Sequence, residues 1–116
     1  MAKVYEFLAD GFEEVEALAP VDILRRGGVE VKMVSITGSN LVESSHGVVV
    51  KADLLFENIT DFSDADLLML PGGMPGSKNL NEHDGVRNAL KEQFEKGKRV
   101  AAICAAPLVL ASIGLL

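Results

Sequence analysis

The sequence predicts an α/β fold, a parallel sheet covered by helices on both faces. Two patterns carry that expectation. Strand-like segments alternate with segments of helical spacing, and the central strand-like segments are apolar throughout, as strands buried on both faces are. A third observation points to a site. Three of the strand-like segments run into distinctive residues, "ADGFEEVE", "PGGMPG" and "CAAP", and sheets of this kind bind ligands at the carboxyl ends of their strands.

The elements follow in order. "KVYEFLA", Lys3 to Ala9, is apolar enough for a buried strand. "DGFEEVEALAPVDILRRGG" has helical spacing, with Arg25 and Arg26 suited to a helix C-terminus and Gly27-Gly28 as its stop. "VEVKMVSI", Val29 to Ile36, is β-branched and alternating and reads as the second strand. Thr37 to Asp53 carries turn residues at Gly38, Ser39 and Asn40, then an apolar run at Val48 to Val50, which suggests a small hairpin or an edge excursion. Leu67 to Leu70 is a fully apolar strand that breaks at Pro71. A helix over about Asp84 to Lys96 keeps Val86, Leu90 and Phe94 on one stripe. Lys98 to Cys104 is the last strand, and "APLVLASIGLL" the last helix. With no repeat, linker or low-complexity stretch, residues 1–116 form one domain.

Composition narrows the function. The chain has 116 residues, 48% of them hydrophobic, and no apolar run near the ~20 residues that a membrane helix needs. A net charge of −6 and 11 scattered Lys and Arg argue against nucleic acid or an anionic membrane as partner. No secretory signal is read at the start, and a single Cys forms no intrachain disulfide, so a cytoplasmic location is expected.

That Cys, Cys104, sits at the strand-to-helix junction in "VAAICAAPLV". A nucleophile elbow there would expose the thiol, and the following helix would aim its positive end at it and favour the thiolate. Ala102, Ala105 and Ala106 leave the room that such a turn needs. Spacing alone leaves a buried structural Cys as the alternative. Glu16 falls in the apolar arc of its helix, with Phe12, Ala19, Pro20 and Ile23 around it, so its carboxyl should be desolvated and able to hold a proton for a nearby thiolate. A frayed turn at Pro20 that lets it reach water is the alternative. Glu14 lies on the wet side, and Glu13 stands where a capping box from Asp10 would use it. Gly72 and Gly73 in "PGGMPGS" match no phosphate-loop pattern, yet two glycines at a strand end let backbone N–H groups approach a substrate oxygen. His46 and His83 lie in polar, turn-like sequence and read as surface residues.

"AAICAAP", "LPGG" and "ADGFEEVEALAPVDILRRGG" together resemble the ThiJ/PfpI family, from Lys3 to the last residue and in the family's order. The resemblance implies a flavodoxin-like α/β sandwich, Cys104 as nucleophile and oxidation sensor, Glu16 as its hydrogen-bond partner, and Gly73, with Gly72 and Ala105 beside it, as backbone donors at an oxyanion position. Ala105 stands where the peptidase-like branch has His, which favours the deglycase and cofactor-independent glyoxalase branch. The implied substrates are small reactive carbonyl compounds or their adducts. No metal or organic cofactor is called for. The alternative is a redox sensor or chaperone that uses Cys104 oxidation without turnover. Family members continue past the last residue here, and the His that many bring to the nucleophile comes from that part. The domain is therefore expected to be incomplete, with apolar surface around Ile113 to Leu116 covered by further chain or by a second copy in a homodimer.

Overall fold

In the computed structural model, which describes residues 2–116, five parallel strands form one sheet. They are β1 (Lys3–Leu8), β2 (Glu30–Ser35), β5 (Leu54–Leu55), β6 (Leu67–Leu70) and β7 (Arg99–Ala102), in the order β5-β2-β1-β6-β7. The chain winds outward from β1 to β2 and β5, then crosses back to β6 on the other side. The sheet therefore has a topological switch point between β1 and β6, and the crevice beyond their carboxyl ends is where such a sheet takes a ligand. β3 (Leu41–Glu43) and β4 (Val49–Lys51) pair antiparallel as the expected hairpin.

Side-chain alternation along β1 divides the core. Val4, Glu6 and Leu8 face α1 (Glu14–Arg26), where Leu8, Ala17, Val21 and Met69 pack together. Tyr5, Phe7 and Ala9 face the other layer, α2 (Gly76–Asn81), α3 (Asp84–Glu95) and α4 (Pro107–Ser112). Phe7 is fully buried and touches Phe56 and Phe62 edge-on or tilted. Burying a side chain of that size stabilises the fold by about 1.5–3 kcal/mol.

Several expectations are corrected. Phe94 is half exposed, because a spacing of four overshoots the 3.6-residue turn and carries the third residue off the core face. Gln93 is buried in its place and donates to the carbonyls of Ala65 (3.1 Å) and Arg99 (3.3 Å). On α1 the buried line is Ala17 and Val21, with Leu24 packed against it, whereas Ile23 and Ala19 are exposed. Near the last residues, Ile113 and Leu115 pack against the core, and the Leu115 N–H closes on the Leu110 carbonyl at 2.9 Å. Leu116 is open, as is Ile103 after the edge strand β7.

Candidate functional site

Cys104 stands two residues beyond β7 and three before α4. It is solvent-exposed, and its φ of 60° is the only positive value at a non-glycine position among the described residues. A residue with a side chain held there costs about 1–3 kcal/mol. A tight turn imposes it, closed by the Ala106 N–H on the Ile103 carbonyl at 3.0 Å. The helix field expected at the thiol is modest by comparison. α4 is six residues long and opens with Pro107, which has no N–H to offer.

Glu16 reaches the same place from α1. Its Oε1 is buried and has no hydrogen-bond partner. Gly72 lies between them. A methyl group added to it would overlap Glu16 Oε1 and stand 2.8 Å from Cys104 Cβ and 2.9 Å from the Ile103 carbonyl oxygen. The missing side chain at Gly72 is what lets the acid and the cysteine approach. Glu16 thus turns inward as expected, but the ends of β6 and β7 bury it, not the helical arc assigned to it. Pro20, four residues on, has no N–H for the Glu16 carbonyl, and the helix runs on through that gap.

Gly73 has φ 95°, and a Cβ on it would meet the Glu13 nitrogen at 2.5 Å and the Phe12 carbonyl carbon at 2.9 Å. The Glu13 N–H donates to the Gly72 carbonyl at 3.0 Å, and the Gly76 N–H donates to the Gly11 carbonyl at 3.0 Å. These bonds knit the β1 and β6 loops across the switch point. Among the described residues, no N–H of Gly72, Gly73 or Ala105 donates to a main-chain carbonyl.

The other singled-out groups serve the fold. Glu13 is the N-cap of α1 and accepts from the Val15 N–H at 2.6 Å, while Asp10 accepts from the Glu43 N–H, so no capping box forms. His46 pairs with Glu14 at 2.8 Å. That hydrogen bond holds the Glu14 carboxyl below its ordinary range and raises the imidazole. Glu13, Glu14 and His46 bring ligand-type atoms within 4.8 Å of one another, in an arrangement open to solvent at His46. His83 caps α3, its Nδ1 accepting from the Val86 N–H at 3.0 Å. Glu6 went unremarked in the sequence reading. It is 1% exposed in the middle of β1, its Oε1 has no partner, and burial pushes its carboxyl up to about 9 against a weaker pull from Arg25. Its signal was plain: a charge inside an apolar parallel strand has no wet face.

The chain's relatives share this arrangement of elements. The profile of the DJ-1/PfpI family matches residues 2–116. Protein DJ-1 homolog A of Arabidopsis thaliana is 43% identical over 110 residues, covering 94% of this chain and 28% of that protein. A deglycase of Thermococcus kodakarensis is 38% identical over 115 residues, 98% of this chain and 67% of its own length. The structure of oxidised DJ-1 from Toxoplasma gondii superposes with a TM-score of 0.95 at 39% identity, covering all of this chain (100%) and 63% of that one. The chain thus spans between about a quarter and two thirds of these relatives. No helix among the described residues is long and apolar enough to cross a membrane. With its flavodoxin-like parallel sheet and a match along nearly its whole length, the chain belongs to the DJ-1/PfpI family.

Proposed function

We propose that this chain carries the nucleophile of a cysteine enzyme acting on small reactive carbonyl compounds or their early adducts. One observation carries the reading: Cys104, strained and exposed, shares the space beside Gly72 with the buried, unpartnered Glu16 Oε1. The Cys104 thiolate attacks an aldehyde carbon and forms a C–S bond. The carbonyl π pair moves onto oxygen, which faces the Gly73 and Ala105 N–H groups and takes a proton from Glu16. Glu16, now a carboxylate, takes the proton from the former aldehyde carbon and returns it to the neighbouring carbonyl carbon through an enediol, which leaves a thioester. Water attacks the thioester carbon, the C–S bond breaks, and a hydroxy acid departs with the thiol restored. The deglycase among the relatives supports this substrate class.

A second reading rests on the exposure of Cys104 and on a relative solved in oxidised form. Peroxide oxidises the thiolate to a sulfenate and then a sulfinate, each peroxide being reduced to water, and the protein acts as a sensor or chaperone. We assign the working location to the cytoplasm. We also assign the active assembly to a homodimer that covers exposed Val15, Ile23, Val48 and Val49.

Methylglyoxal consumption, with intact-mass detection of a Cys104 adduct, tests the first reading in wild type, Cys104→Ser and Glu16→Gln. Both variants should lose ~10²-fold or more in turnover, the usual worth of a nucleophile or acid–base group. Wild-type turnover in Cys104→Ser would overturn it. Turnover lost to low peroxide without any gain in stability or partner binding would count against the sensor.

A further inference from the structure

Behind the elbow lies a cavity of about 140 Å³, bounded by β1, α1, β6 and the end of β7. Its walls are mostly apolar, among them Pro20, Met69, Ala102 and Ile103, but two carboxyl side chains, Glu6 and Glu16, also line it. Each has a buried Oε1 without a hydrogen-bond partner. Two such groups on one small apolar cavity are unusual, since burying an unpaired charge costs several kcal/mol.

Glu6 has nowhere else to turn. Its register partners are Met33 on β2 and Met69 on β6, neither of which titrates. The edge of β7 on the cavity offers Ala101, Ala102 and Ile103. From α1, Glu16 faces the same cavity, and Arg25 acts on Glu6 but is already committed to Asp53 at 2.8 Å and to the Val31 carbonyl at 2.9 Å. Glu6 is therefore a neutral carboxyl at neutral pH, and a neutral carboxyl has one O–H to donate. The cavity has room for a few bridging waters, each counted at about 30 Å³, and the two carboxyls supply their polar partners.

We propose that Glu6 is a positioning residue of the candidate site: it donates its O–H into the cavity toward Glu16, directly or through water. That donation is taken up by the other oxygen of Glu16. A proton on Glu16 is then left to Oε1, the oxygen beside Gly72 and Cys104. Glu6 never touches the substrate. It settles which way Glu16 points its proton. The inference rests on the reading that Glu16 donates toward Cys104.

Iodoacetamide alkylation of Cys104, followed against pH, tests it without needing a substrate. Glu6→Leu should slow alkylation at neutral pH roughly fivefold, the worth of one hydrogen bond. Glu6→Gln, whose amide also donates, should restore the rate. In a Glu16→Leu background, Glu6→Leu should slow it no further, because the two act as one unit. Infrared difference spectra of wild type against Glu6→Gln at neutral pH should show the carbonyl band of a protonated carboxyl. Wild-type alkylation in Glu6→Leu, failure of Glu6→Gln to restore it, or absence of that band would overturn the proposal. The parent reading fails differently, with Glu16→Leu itself alkylating at the wild-type rate. Circular dichroism and melting separate folding from chemistry, and leucine at this apolar position should melt no lower than wild type.

Discussion

The two ends of the sheet are built to opposite standards. At the amino end the polar groups of Lys3 and Tyr5 are matched. The Lys3 ammonium meets Asp64 at 2.8 Å and Glu30 at 3.6 Å, the Lys3 N–H meets Asp66, and the Tyr5 hydroxyl donates to Asp64 at 2.9 Å. Toward the carboxyl end the matching stops. Glu16 has a bare buried oxygen, Cys104 holds a left-handed backbone, and Gly72 and Gly73 sit where no side chain fits. Satisfied groups hold a fold still, while unsatisfied and strained ones keep reactive groups available. The difference between the ends singles out the carboxyl end as the candidate site without any appeal to similarity.

The sharpest way to break the comparison is to add one carbon at the carboxyl end. Gly73→Ala puts a methyl group against backbone in a conformation that alanine resists, and Gly72→Ala drives one into Glu16 and Cys104. We expect each to cost about 3 kcal/mol or more in urea unfolding. Gly72→Ala should also change the Cys104 alkylation rate.

Next in size is the pH response, where Glu6 and the amino end should differ in sign. Glu6 keeps its proton in the folded chain up to about 9 and loses it within the ordinary carboxylate range when unfolded. The folded state thus binds more protons between those limits, and stability falls as pH rises through them, by an amount on the order of a few kcal/mol. Urea titrations at pH 5 and pH 8 should show the drop, and Glu6→Leu should remove most of it. Asp64 is held below its ordinary range first by the Lys3 hydrogen bond. Its contribution is present at neutral pH and is lost as pH falls into the acid range.

Smaller again is the backbone strain at Cys104. Glycine accepts a φ of 60° freely and alanine does not, so Cys104→Gly should be more stable than Cys104→Ala by about 1 kcal/mol. Equal stability would mean that the turn relaxes once the thiol is gone. Smallest is the amino end itself. Asp64→Asn removes an ion pair whose acid is half exposed, so we expect at most about 1 kcal/mol, shrinking in high salt.

Much of this arrangement was legible in the sequence, and the gaps have physical causes. Strands β1, β6 and β7 announced themselves because apolar runs have few other uses, and β2 by its β-branched alternation. Helix α2 did not, since Gly76–Asn81 contains a glycine and two asparagines and reads as a continuation of the turn. Packing makes it a helix: Leu80 is buried in the core, and the Asn79 side chain donates to the Asp10 carbonyl at 2.9 Å, sixty-nine residues away. Strand β5, two residues long, has no pattern to show. The sequence places Cys104 and Glu16 together for two reasons, and the structure replaces both. The strained turn matters more than the short helix α4, and strand ends rather than a helical arc bury the acid. Glu6 was missed because one charge in "KVYEFLA" did not alter the strand assignment, although it altered what that strand could do.

The interlock at the switch point also limits how such a protein could be redesigned. A Cβ on Gly11 would lie 2.5 Å from Pro75 Cδ, and one on Gly76 would lie 2.7 Å from the Phe12 nitrogen, so the β1 and β6 loops are two halves of one rigid part. Surface loops are ordinarily where insertions and sequence drift are absorbed. Here two of the three loops around Cys104 are closed to that traffic, because a change in either would demand a matching change in the other. The turn after Cys104 is the loop left to vary independently, with Ala105 only half-buried. Variation in this scaffold would be sought at Ala105, with the two glycine loops kept fixed.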